Sequence, residues 1–126
     1  MLVTIPNVLT QEEVSMVQEL MATANFREGA ETAGAEAIRV KNNHEMFISE
    51  IETQRLNNLV MGKLVRNPDY IAAAFAARIA TPIYAKYTEG MFYGNHVDDP
   101  VMGPPNQRYR SDISITIFLN NPEDYE

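Results

Sequence analysis

The chain contains no cysteine and no tryptophan, and only two of its 126 residues are histidine. Without thiols there is no disulfide and no thiolate metal site, which removes the commonest structural zinc centres and fits a reducing, cytoplasmic setting. Basic residues are also scarce: 10 lysines and arginines face 17 aspartates and glutamates, for a formal net charge of −7. That balance favours solubility and argues against gripping nucleic acid through its phosphates. Arg108 and Arg110 form a small local exception and carry little weight. No apolar run is long enough to span a bilayer, and Met1-Leu2-Val3-Thr4-Ile5-Pro6 lacks the basic-then-apolar order of a signal peptide. Neither a membrane nor a nucleic acid is expected as a partner.

What is present is ordinary for one globular domain, with 45% apolar and 21% charged residues. Met1 to Ile5 reads as a short opening strand closed by Pro6. Thr10-Gln11-Glu12-Glu13 has the form of a capping box, and Val14, Val17, Leu20 and Met21 then recur at the spacing of one helix face. Residues 27–37 have no period and read as a loop. A second helix is predicted from about Ile48 to Val65, burying Ile51, Leu59, Val60 and Leu64. Asn67-Pro68 starts a third, ending near Ala77. Beyond Arg78 the period becomes two: Ile83, Ala85 and Tyr87, then Ile113, Ile115, Ile117 and Leu119, alternate with polar neighbours, as strands with one buried face do. A loop rich in proline and glycine, residues 99–106, lies between. Helices followed by strands is an α+β order.

The chemistry concentrates in His96-Val97-Asp98. On an extended backbone residues i and i+2 project to one side about 6–7 Å apart, so an imidazole and a carboxylate can lean toward one ion. Two histidines and a carboxylate on one face of Fe(II) leave open positions for a cosubstrate and O₂, and His-X-Asp supplies two of the three. Taken bare, the spacing is more often a surface histidine beside a solvated acid. His44, beside Asn42 and Asn43, is the other histidine; a surface or locally hydrogen-bonded role suits it better than that of third ligand.

The setting sharpens the motif. Tyr87, Gly90, Gly94 and His96-Val97-Asp98 precede Arg110-Ser111-Asp112-Ile113-Ser114-Ile115-Thr116-Ile117-Phe118-Leu119, and the chain also holds Lys41-Asn42-Asn43, Thr81-Pro82 and Asn121-Pro122-Glu123-Asp124-Tyr125. This combination resembles the PKHD-type hydroxylases, bacterial relatives of prolyl 4-hydroxylase among the Fe(II)/2-oxoglutarate dioxygenases. The resemblance implies N-terminal helices (1–78) supporting the first strands (79–126) of a double-stranded β-helix, a jelly-roll or cupin-like barrel left incomplete in this chain. It implies Fe(II) held by His96 and Asp98, a third ligand (a second histidine) and a 2-oxoglutarate-binding basic residue beyond Glu126, and L-ascorbate to keep iron ferrous. Tyr87 and Thr116 are the candidate 2-oxoglutarate contacts; a core aromatic is an equal alternative for Tyr87. Gly90 and Gly94 are expected to shape the turn that presents His96, and Asp99 to point away, exposed. Lys41-Asn42-Asn43 has no chemical role derivable from the sequence. The implied reaction hydroxylates a C–H bond of a peptide or amino-acid-like substrate while 2-oxoglutarate and O₂ give succinate and CO₂. Because a half-built barrel leaves open edges, the chain is expected to be the N-terminal part of a longer enzyme, inactive alone. The competing reading is an inert binding module that keeps the strands without a complete iron site.

Overall fold

Helices start where a side chain can take up the first free backbone N–H groups. In the computed structural model, which describes residues 2–35, 37–47 and 49–125, Thr10 opens α1 (Gln11–Ala22) with the expected box. Its Oγ1 accepts from Glu13 N at 3.2 Å, and Glu13 Oε2 accepts from Thr10 N at 2.9 Å. Ser49 repeats the device with Glu52 at the head of α2 (Glu50–Leu64); the predicted start, Ile48, lies outside the described residues. Asn67 Oδ1 accepts from Asp69 N at 2.9 Å and Tyr70 N at 3.0 Å, with Pro68 in the first turn of α3 (Pro68–Ala74). This helix stops short of Ala77 because Phe75 turns into the left-handed region, φ 42°.

The helices belong to one of two compact units, comprising Met1–Asn25, Phe47–Ile83 and Leu119–Glu126. Its buried side chains are Leu9, Val17, Leu56, Val60, Leu64 and Tyr70. Val17 is the centre of the α1 face, as its spacing predicts. On α2 the buried stripe is Leu56, Val60 and Leu64, while Leu59 is half-buried and Ile51, predicted inside, is exposed. Ile51 lies about 140° round the helix from Leu56, so one stripe cannot hold both. Lys63 Nζ reaches Glu13 Oε1 at 2.5 Å between the two helices. That ammonium, followed by the Thr10 N–H, holds the Glu13 carboxyl below its ordinary range.

The second unit, Phe26–Met46 with Tyr84–Phe118, holds the strands. β1 (Asn25–Glu28), β3 (His44–Phe47) and β4 (Ala85–Lys86) form a sheet in the order β1-β3-β4. β2 (Lys41–Asn42) pairs antiparallel with β5 (Phe92–Tyr93), and β6 (Val101–Met102) with β7 (Tyr109–Arg110). Three sequence expectations change here. Residues 27–37, read as a loop, carry the second half of β1 and a 3₁₀ turn at Gly29–Thr32. Leu2 to Ile5 form no strand, and residues 112–119 have no ladder partner among the described residues despite their alternation. Ile113 and Ile115 are accordingly 50% and 46% exposed. Alternation specifies a face, but a strand also needs a neighbour to take its N–H and C=O groups. Among the described residues the fold is mixed α+β with small antiparallel sheets and no closed barrel.

In this unit Tyr84 O accepts from Met46 N at 2.8 Å, and burial pushes the Tyr84 phenol up to about 12. A group that holds its proton more tightly when folded stabilises the fold fully below its unfolded value, near 10, and loses that contribution as pH rises through 12. Alkaline titration at 295 nm is therefore expected to show a tyrosine that titrates near 12 and is absent from Tyr84→Phe. An early, uniform titration of every tyrosine would contradict it.

Candidate functional site

Residues 41–47 run antiparallel along residues 85–93, and the register is interrupted once. Lys41 faces Tyr93 and Asn42 faces Phe92; His44 faces Lys86 and Glu45 faces Ala85. Residues 87–91 therefore loop out opposite the single residue Asn43. The loop is closed by Met91 N donating to Thr88 O at 2.9 Å, with Gly90 at φ 81°. A positive φ at the third turn position is what a type II turn requires, which suits glycine at 90, whereas Gly94 has no positive φ and needs no such freedom. Gly94 N then donates to Val40 O at 2.8 Å, fixing the chain just before His96.

His96 and Asp98 lie on the following irregular segment, not on a strand. The His96 ring stacks on Tyr93, centroids 3.9 Å apart and planes 10° from parallel. Its Nδ1 is 2.7 Å from Gly94 O. A carbonyl only accepts, so Nδ1 carries the proton, and in the neutral ring Nε2 presents its lone pair. Nε2 stands 3.3 Å from Asp98 Oδ1. That is close to the roughly 3 Å between neighbouring donors at about 2.1 Å from one octahedral ion. An imidazole whose second nitrogen is tied to a carbonyl is also the usual arrangement of a metal-binding histidine. The pair thus fits a divalent metal such as Fe(II), though no group of three or more His, Asp or Glu donors is gathered among the described residues.

Beneath this pair is a buried polar layer. Lys41 and Glu45 form an ion pair with both side chains only 5% exposed. Thr32 Oγ1 lies 2.5 Å from Glu45 Oε2 and accepts from Lys41 Nζ at 3.0 Å. Lys41 Nζ also sits 5.2 Å from the centroid of the Tyr93 ring, a cation–π distance. Burial, then the carboxylate of Asp98, the Tyr87 phenol and the carboxylates of Glu45 and Asp99, raise the Tyr93 phenol above its ordinary value. Tyr93 is thus where the donor pair and the buried layer meet.

The remaining candidates are placed as follows. Tyr87, just past β4, is exposed on one side and accepts a hydrogen bond from Asn43. Thr116 is exposed on segment 112–119, which belongs to no ladder among the described residues. His44 Nε2 faces Glu28 Oε1 at 3.4 Å, a local partner as expected. Asp99 is exposed, and its carboxylate lies against Gly34, where a Cβ would come within 2.5 Å of Oδ2. A depression lined by Thr23, Asn25, Phe47 and Glu52 belongs to the helical unit and contains none of these residues. Sequence reasoning missed Thr32, Glu45 and Tyr93. The available signal was alternation: Lys41, Asn43 and Glu45 share one face of an extended ribbon, and a lysine and a glutamate on one buried face must pair.

No protein-family model matches the chain. Individual relatives do. A PKHD-type hydroxylase of Thioalkalivibrio sulfidiphilus is 44% identical over 126 residues, all of this chain and 56% of the relative. One of Paracoccus denitrificans is 41% identical over 128 residues, again all of this chain and 56% of the relative. One of Acaryochloris marina is 42% identical over 125 residues, 99% of this chain and 55% of the relative. The chain spans a little over half the length of these curated relatives, and along its whole length it is similar to the PKHD-type hydroxylases.

Proposed function

We propose that the protein is an Fe(II)- and 2-oxoglutarate-dependent dioxygenase, with His96 and Asp98 as two of its iron ligands. The observation that carries this is the tautomer-fixed His96 Nε2 converging on Asp98 Oδ1 at 3.3 Å. The third ligand, a histidine, and the basic partner of 2-oxoglutarate would come from the part of the relatives' length that this chain does not span. Iron with 2-oxoglutarate and O₂ supplies hydroxylation of an unactivated C–H bond, and ascorbate keeps the metal ferrous. The chain's own residues bind and orient: Gly94 O sets the imidazole, Tyr93 holds its plane, and Tyr87 offers a phenol to a cosubstrate carboxylate. Thr116 would join Tyr87 once residues 112–119 gain a neighbouring strand in a double-stranded β-helix. The substrate class we favour is a peptide or amino-acid-like molecule, and the compartment the cytoplasm. No helix of the described residues is long and apolar enough to cross a membrane.

The test is direct. The protein at its full natural length, stripped of metal and then given Fe(II), 2-oxoglutarate and ascorbate, is expected to form succinate in amounts that vanish when iron is omitted or replaced by Zn(II). Iron-independent succinate, or none under any condition with a peptide library present, would refute the assignment.

A further inference from the structure

Asn43, the last member of the Lys41-Asn42-Asn43 motif, is 2% exposed and sits at the base of the 87–91 loop. Its Nδ2 donates to the Tyr87 hydroxyl at 2.8 Å, while its Oδ1 is buried without a partner. A Cβ on Gly29 would overlap that oxygen, so only glycine leaves room for it, and Gly29 N donates to Asn43 O at 2.8 Å. Turning the amide over would place two N–H donors in the same closed space, a greater loss than one carbonyl oxygen. An unsatisfied carbonyl is a burden that leucine, of similar size, would not bring. What the amide does and leucine would not is donate to Tyr87. Donation fixes the phenol: its oxygen accepts from Asn43, and its own O–H is left to donate away from the buried layer.

We infer that Asn43 is a positioning residue acting through Tyr87, holding the phenol as an outward donor for a carboxylate of 2-oxoglutarate. The inference rests on the assignment of Tyr87 as a cosubstrate contact under Proposed function. It accounts for the Lys41-Asn42-Asn43 motif at both ends, since the lysine fixes Tyr93 and the second asparagine fixes Tyr87.

The experiment is a double-mutant cycle on the full-length protein with Mn(II) in place of iron, combining Asn43→Leu with Tyr87→Phe. Calorimetry gives the 2-oxoglutarate affinity, and ¹³Cζ-labelled tyrosine reports the hydrogen bond at Tyr87. N43L is expected to weaken 2-oxoglutarate about tenfold, as loss of a hydrogen bond to a charged group does. It should leave Mn(II) affinity unchanged, shift the Tyr87 resonance, and add nothing in the Y87F background. Equal weakening in both backgrounds would make Asn43 a packing residue and overturn the inference. So would a normal affinity in N43L beside a weakened one in Y87F, an outcome that leaves Tyr87 as a cosubstrate contact. Unchanged affinity in Y87F alone would remove Tyr87 from the site and the inference with it, while His96 and Asp98 stand. Should N43L fail to fold, Asn43→Ala enters the same cycle with the same outcomes.

Discussion

Alanine at His96 or at Asp98 is expected to lower 2-oxoglutarate turnover of the full-length protein by more than a hundredfold while leaving its unfolding midpoint nearly unchanged. The first half follows from the ligand arithmetic. Losing a residue that only supports a metal ligand typically costs about 10–100-fold in affinity or activity, so losing the ligand itself must cost more. The second half follows from position. Both residues are on an irregular, exposed segment outside every sheet, and substitutions at such places usually stay within about 0.5 kcal/mol. His96 does stack on Tyr93, so its variant is expected to be the less stable of the two by a small margin. Metal affinity should fall in both, measured by Mn(II) displacement from a fluorescent chelator. Retained turnover in either variant would remove that residue from the iron site. Loss of activity together with loss of the cooperative melt would instead mark a structural role.

What the sequence made legible divides by the range of the interaction. The starts of α1 and α3 could be read because a cap is settled within three or four residues: Thr10 with Glu13, Asn67 with Asp69 and Tyr70. His96 and Asp98 could be picked out as a candidate pair because their spacing and their chemistry are both local. Ile51 was misplaced because periodicity offers several stripes and only packing chooses among them; the helix selected Leu56, Val60 and Leu64. Residues 112–119 alternate as a strand should, yet pairing depends on a second segment that their own letters cannot name. The role of Lys41-Asn42-Asn43 was hidden for the same reason. Its meaning lies in Tyr87 and Tyr93, more than forty residues away along the chain.

Replacing Lys41 with methionine is expected to be the most destabilising single change in the strand unit, by about 3–5 kcal/mol, because it leaves a buried carboxylate without its cation. Glu45 is as deeply buried as Lys41, and Thr32 alone can satisfy only one of its oxygens. A domain is held by only about 5–15 kcal/mol, so such a loss should be plain in a urea melt. The pair as a whole is a different matter. Two charges brought out of water regain little more than their desolvation costs, so Lys41→Met combined with Glu45→Leu is expected to recover most of the lost stability. A loss below about 1 kcal/mol in K41M would mean that water reaches Glu45 in solution and that the pair behaves as a surface one. The double variant then separates two purposes for the buried charges. It keeps the fold but takes away the cation 5.2 Å from the Tyr93 ring, against which His96 is stacked. Recovered stability with weakened metal binding would mean that the charges are there to steady Tyr93, and through it the imidazole. Recovery of both would mean that Tyr93 is held by its backbone pairing with Lys41 alone, and that the ion pair serves only to fill the space beneath the site.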